Sequence, residues 1–123
     1  MKIIISNASA APIYEQIASQ IRNQIINGKL ESGYSLPSIR ALAKELQVSV
    51  ITTKRAYDDL EREGFIHTVA GKGSFVAEQD IKLMKERKLN KLEATITQML
   101  QMADELELTK EELFELIQLL REE

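Results

Sequence analysis

The feature that most limits what this chain can fold into is a break of three residues, Gln47-Val48-Ser49, between two short amphipathic helical patterns. Before the break, Ser38 is suited to cap a helix, and Ile39, Leu42, Ala43 and Leu46 follow as one apolar stripe. After it, Ser49 is the next cap. Thr53, Ala56, Tyr57 and Leu60 then fall on one side of a helix at about 100° per residue, and Ile51, Lys54, Arg55 and Asp58 fall on the others. The spacing predicts a helix, a tight turn, and a second helix with one packed face and one free face.

The flanks extend this unit. From Pro12, acceptable in a first helical turn, Ile13, Tyr14, Ile17, Ala18, Ile21 and Ile25 make a helical stripe that Gly28 ends. In residues 31–37, Gly33 permits a turn and Pro37 keeps Leu36 extended. Gly64 closes the second motif helix. Residues 65–69 and 74–77 then read as two strands of a hairpin with Gly71-Lys72-Gly73 at its tip. Ile3, Ile4 and Ile5 favour a short strand or an extended arm.

Beyond Glu78 the pattern changes. Leu89, Leu92, Ile96, Met99, Ala103 and Leu106 alternate by three and four, the spacing of a heptad seam. Thr109 with Glu112 is a capping box that starts another helix, whose apolar face is Leu113, Leu116, Ile117 and Leu120. Two such helices cannot enclose a core alone. The expectation is a helical hairpin whose seams pack on each other and on a second copy of the chain, so these ten residues are the expected dimerisation set. The alternative is a tail folded back on its own N-terminal domain. The expected organisation is an α+β winged helix-turn-helix over residues 10–78 and an all-helical dimerisation tail over residues 79–123.

Composition removes other classes of function. The 123 residues contain no cysteine and a single histidine, His67, so disulfides, a thiol nucleophile and Cys/His zinc sites are absent. His67 is expected on a strand surface. The acidic residues of the tail read as solvated helix faces, and Gly71-Lys72-Gly73 lacks the long run of a phosphate loop. No enzyme activity, cofactor or metal is expected. Lys2, Ile3 to Ile5 and Ala8-Ser9-Ala10 imitate a signal peptide, but its apolar core would need roughly 7–15 residues, so a cytoplasmic protein with no membrane contact is expected.

The net charge of −3 is unevenly spread. Residues 1–79 hold nine Lys/Arg against eight Asp/Glu, and residues 80–123 hold seven against eleven. Local charge is what meets phosphate, so the near-neutral N-terminal part remains able to bind DNA. The start of the second motif helix offers short side chains with longer donors behind them: Ser49, Val50, Ile51, Thr52, Lys54 and Arg55. Lys72 and Gly73 at the hairpin tip are the expected contacts of a wing with an adjacent groove.

The motifs together resemble the GntR family of regulators. They are Gly33-x-x-Leu36-Pro37-Ser38-x-Arg40-x-Leu42-Ala43, Val48-Ser49-x-x-Thr52, Gly64-x-Ile66 and Gly71-x-Gly73-Ser74-Phe75-Val76, with Pro12-Ile13-Tyr14-Glu15-Gln16-Ile17 in front. With only a short helical tail behind, the chain is similar to the small YtrA-like branch. The resemblance implies a homodimeric repressor of double-stranded operator DNA, often at operons for membrane transporters. It also implies that Ser38 and Arg40 contact the backbone or base edges and that Thr52 and Lys54 act in the groove. Family members commonly carry Glu where Ile39 stands and Arg where Val50 stands, so methyl contacts from Val50 and Ile51 with thymine become the expected readout, in an AT-rich half-site. No small-molecule effector is specified. The competing expectation is a winged-helix module that binds protein rather than DNA.

Overall fold

The structure, a computed structural model, describes residues 1–122. Its elements are α1 (Ile13–Ile26), α2 (Ile39–Leu46), α3 (Val50–Arg62), β1 (Ile66–Val69), β2 (Gly73–Val76), α4 (Ile81–Glu105) and α5 (Lys110–Glu122). They divide into two compact units, Met1–Lys82 and Leu83–Glu123.

The first unit is a winged helix-turn-helix. Ile17, Ile21 and Ile25 on α1, Leu42 on α2 and Ala56 and Leu60 on α3 are all almost completely buried, with α3 packed on both α1 and α2. Each large aliphatic side chain so placed stabilises the fold by about 1.5–3 kcal/mol relative to leaving it in water. Both motif helices start as their sequence dictates: the Ser38 hydroxyl accepts from the Ala41 amide at 3.0 Å, and the Ser49 hydroxyl from the Thr52 amide at 3.0 Å. Between them Gln47 is left-handed at φ 57°, a conformation that lets the chain reverse within three residues. Pro12 stands at the N-cap of α1, one position before the first turn.

The hairpin pairs Ile66 with Val76 and Val69 with Gly73, so β1 starts one residue after the expected Phe65 and β2 includes Gly73 but not Ala77. A third extended piece lies on the outer edge of β2. Ser35 bridges to Phe75, and the Leu36 amide donates to the Ser74 carbonyl at 2.9 Å. His67 is exposed on the strand surface, with its ring 5.9 Å from that of Phe75.

The N-terminal residues form an arm held by glutamines spaced one helical turn apart on α1. Gln24 donates to the Lys2 carbonyl, Gln20 both accepts from the Ile4 amide and donates to the Ile4 carbonyl, and Gln16 does the same for Ser6. A carboxamide has a donor and an acceptor, so each can satisfy both backbone groups of one residue.

The second unit consists of α4 and α5 around a corner at Glu107, which is left-handed at φ 56°. The capping box forms as expected: the Glu112 amide donates to the Thr109 hydroxyl at 3.1 Å and the Thr109 amide donates to the Glu112 carboxylate at 2.9 Å. The expectation that the two seams pack along each other is met only at the corner. There Ala103 and Leu113 are buried and Met99 is half-buried, while Leu89, Leu92, Ile96, Leu106, Leu116, Ile117 and Leu120 stay exposed. Among the described residues no helix is long and apolar enough to cross a membrane.

Candidate nucleic-acid interface

The outward side of α3 is built by the burial of the opposite side. Thr53, Ala56, Tyr57 and Leu60 face the core, which leaves Val50 and Ile51 at the start of the helix 45% and 82% exposed. The start of α3 thus presents two apolar side chains on its outward face rather than in the core. Lys54 and Arg55 follow one turn later and are also exposed.

The serines have a structural task as well. The Ser38 and Ser49 oxygens are used as caps, and the Ser49 hydroxyl donates to the Thr52 hydroxyl at 2.8 Å. Thr52 therefore keeps its own proton available for an acceptor outside the protein. Thr53 lies inward, as its spacing predicts, and its hydroxyl donates to the Ser49 carbonyl at 3.1 Å. Arg40 is exposed in the first turn of α2, so the structure presents Ser38, Arg40, Ser49 and Val50 on the two adjacent helix starts.

Tyr57 locks these starts together. Its hydroxyl donates to the Pro37 carbonyl at 2.6 Å, and burial, reinforced by the neighbouring Tyr34, pushes the phenol well above its usual range. It thus acts as a neutral hydrogen-bond donor, fixing α2 against α3. Packing of α3 on β1 carries the wing beside the motif. At its tip Lys72 and Gly73 are exposed, and positive φ values at Gly71 and Gly73, 76° and 112°, explain why both positions are glycine.

The cations differ in their partners. Arg22 joins α1 to the end of α3: burial opposes its charge, but a two-pronged contact with Glu63 at 2.9 and 3.0 Å and a contact with Glu15 raise its pKa. It is a strut, not part of the exposed face. Lys54 pairs with Asp58 at 2.8 Å, and Arg62 with Asp59 at 3.0 Å. The Arg55 guanidinium lies 3.7 Å from the centre of the Tyr14 ring. Sequence reasoning placed Tyr14 only in the core stripe of α1, because helical periodicity does not tell a buried ring from one shared with a neighbouring cation.

The tail also carries exposed Leu100, Met102, Phe114 and Leu119, outside the expected seams. The signal was present in α5, where Phe114 and Leu119 widen the apolar face beyond the stripe of Leu113, Leu116, Ile117 and Leu120.

Comparison with known proteins matches these observations. Residues 13–76 fit the family model of bacterial regulatory proteins, gntR family. The HTH-type transcriptional repressor YtrA of Bacillus subtilis (strain 168) is 35% identical over 98 residues, covering 80% of this chain and 75% of the relative. The solved structure of YtrA from Sulfolobus acidocaldarius, a GntR-family transcription factor, superposes with a TM-score of 0.59 at 39% identity, over 75% of this chain and 97% of that one. The AraR DNA-binding domain in complex with operator ORX1 superposes with a TM-score of 0.55 at 28% identity, over 63% of this chain and 96% of that one. The helix-turn-helix with its exposed second helix and the glycine-tipped wing lie within the matched residues, and the chain belongs to the GntR family of DNA-binding transcriptional regulators, in its YtrA-like branch.

Proposed function

We propose that the chain is a homodimeric repressor that binds a two-fold-symmetric operator and works in the cytoplasm. Val50, Ile51 and Thr52 face base edges in the major groove. Ser38, Arg40, Ser49, Lys54 and Arg55 contact the flanking backbone or bases, and the wing adds Lys72 and the Gly73 backbone. The observation that carries the dimer is the row of exposed Leu89, Leu92, Ile96 and Leu106 on α4, continued by Leu116, Ile117 and Leu120 on α5. So much apolar surface on a charged helix pair needs a cover, and a second copy supplies an identical one. Ala103 and Leu113 support that surface from beneath. Repression is supported by the related protein that bears the name of repressor.

A dimer brings the second recognition helix to its half-site at an effective concentration that can reach about the millimolar range. The test uses the full chain with Leu92→Glu and Ile96→Glu together. Sedimentation is expected to show a monomer, and binding to a palindromic duplex is expected to fall to that of an isolated half-site. A dimer that persists and binds as tightly as the unaltered chain refutes the proposal. Binding to DNA should also weaken steeply with salt through counterion release; insensitivity to salt would favour a protein-binding module.

A further inference from the structure

The three cations of α3 are held in different ways. Lys54 and Arg62 each have a carboxylate of their own helix at ion-pair distance, Asp58 and Asp59. Arg55 has none among the described residues. Its guanidinium instead stacks on Tyr14, in the first turn of α1. Stacking uses the π face of the guanidinium and leaves the N–H donors, which lie in its plane, able to take an anion. Its charge is therefore oriented without being neutralised. Arg55 is also one turn beyond Ile51, the more exposed of the two apolar residues that open α3, on the same face.

We propose that Arg55 is the principal phosphate-binding cation of α3, and that Tyr14 is a positioning residue that holds its guanidinium fork towards the DNA backbone. This rests on the reading that α3 docks on DNA. Lys54 contributes less, because it must first leave Asp58. The Tyr14 hydroxyl has no part in the arrangement; the ring face does the positioning, so phenylalanine should replace it.

The experiment measures binding of the full-length chain to two probes over a range of KCl concentrations: a duplex enriched from a random pool by the unaltered protein, and a mixed-sequence duplex. Arg55→Ala is expected to weaken both by about tenfold and to lower the magnitude of the salt slope by about one per protomer. Lys54→Ala should cost less than about threefold on the mixed-sequence probe, where only phosphate is read. Tyr14→Leu should reproduce most of the Arg55→Ala loss, including the change in slope, with Tyr14→Phe behaving as the unaltered chain. Added to Arg55→Ala, Tyr14→Leu should change little, the sign of a shared pathway. Arg55→Lys keeps the charge but not the flat stack, and is expected to lie between Arg55→Ala and the unaltered protein. The proposal is overturned if Tyr14→Leu keeps full affinity and slope, if its effect is the same with and without Arg55, or if Arg55→Lys binds as the unaltered chain does. Failure of the unaltered chain to bind either probe in a salt-dependent way would instead overturn the DNA reading beneath it.

Discussion

Two turns of this chain are written in nearly the same residues, sixty positions apart: Ala43-Lys44-Glu45-Leu46-Gln47-Val48-Ser49 between α2 and α3, and Ala103-Asp104-Glu105-Leu106-Glu107-Leu108-Thr109 between α4 and α5. Their backbones agree. Gln47 and Glu107 are left-handed at φ 57° and 56°, and the Val48 and Leu108 amides each donate to the alanine carbonyl five residues back at 3.0 Å. Ser49 and Thr109 then cap the following helices. Beyond the turn the two regions diverge. Leu42, Tyr57 and Leu60 are at most 3% exposed because α1 and the wing pack over α3, whereas Met102, Ile117 and Leu120, sixty places later, are 63%, 40% and 61% exposed. A short local code determines a turn, and a third element determines whether the helices leaving it have a buried side. Within its own unit the tail has the turn without a third element, and the proposed second copy would supply one. Nor does α5 offer a second reading head for DNA, since it opens with Lys110-Glu111-Glu112 and would bring carboxylates to phosphate.

The largest difference between the regions should appear when matched leucines are cut back. Leu60→Ala is expected to cost about 2–5 kcal/mol in the unfolding of the first unit, as a buried leucine leaves a cavity. Leu120→Ala, measured at concentrations where the chain is monomeric, should stay within about 0.5 kcal/mol. An equal loss for the two, by thermal or urea denaturation, would show that the tail face is covered within one chain. Next come the caps, where the regions should behave alike: Ser49→Ala and Thr109→Ala each remove one hydroxyl from a helix start, and each is expected to cost about 0.5–2 kcal/mol. Then the left-handed residues: Gln47→Gly and Glu107→Gly should each stabilise their turn by about 0.5 kcal/mol, because relief of the left-handed strain slightly exceeds the added chain entropy. A clear loss at one turn alone would mean that its side chain has a role the other lacks.

Acid should separate the turns with the smallest effect. The Glu112 pKa is lowered, first by the Thr109 backbone amide and then by its hydroxyl, below an ordinary 4.5. A lowered carboxylate gives stability that is present above its unfolded value and is lost as pH falls through the lowered one. The residue sixty places earlier is Thr52, which does not titrate. On acidification the Thr109 amide resonance should therefore shift with Glu112 protonation, while the Ser49 amide should not follow.

Much of this was legible in sequence because it was local. The caps at Ser38, Ser49 and Thr109 and the break at Gln47 depend on residues within one turn of each other, and the inward face of α3 follows from spacing alone; the left-handed backbone of Gln47 was not legible. The α5 seam was legible too, but its cover was not, since exposure of Leu119 and Phe114 depends on what lies opposite. The Tyr14–Arg55 stack and the Arg22–Glu63 strut link residues forty-one positions apart, and no periodicity encodes such pairs. The hydroxyl of Thr53 is a middle case: its inward position was set by spacing, its acceptor by the geometry of Ser49.

The glutamine fastening of the N-terminal arm is, finally, a matter of matched rulers. Four residues of helix advance about 6.0 Å and two residues of strand about 6.6 Å, so Gln24, Gln20 and Gln16 count off Lys2, Ile4 and Ser6 with a mismatch of only about 0.6 Å per interval. A single residue inserted between Lys2 and Ser6 would turn the polar groups of the next rung away from its glutamine and exchange the half-buried Ile3 and Ile5 for their exposed neighbour Ile4, so the arm works as a detent with one seat rather than as a sliding strap.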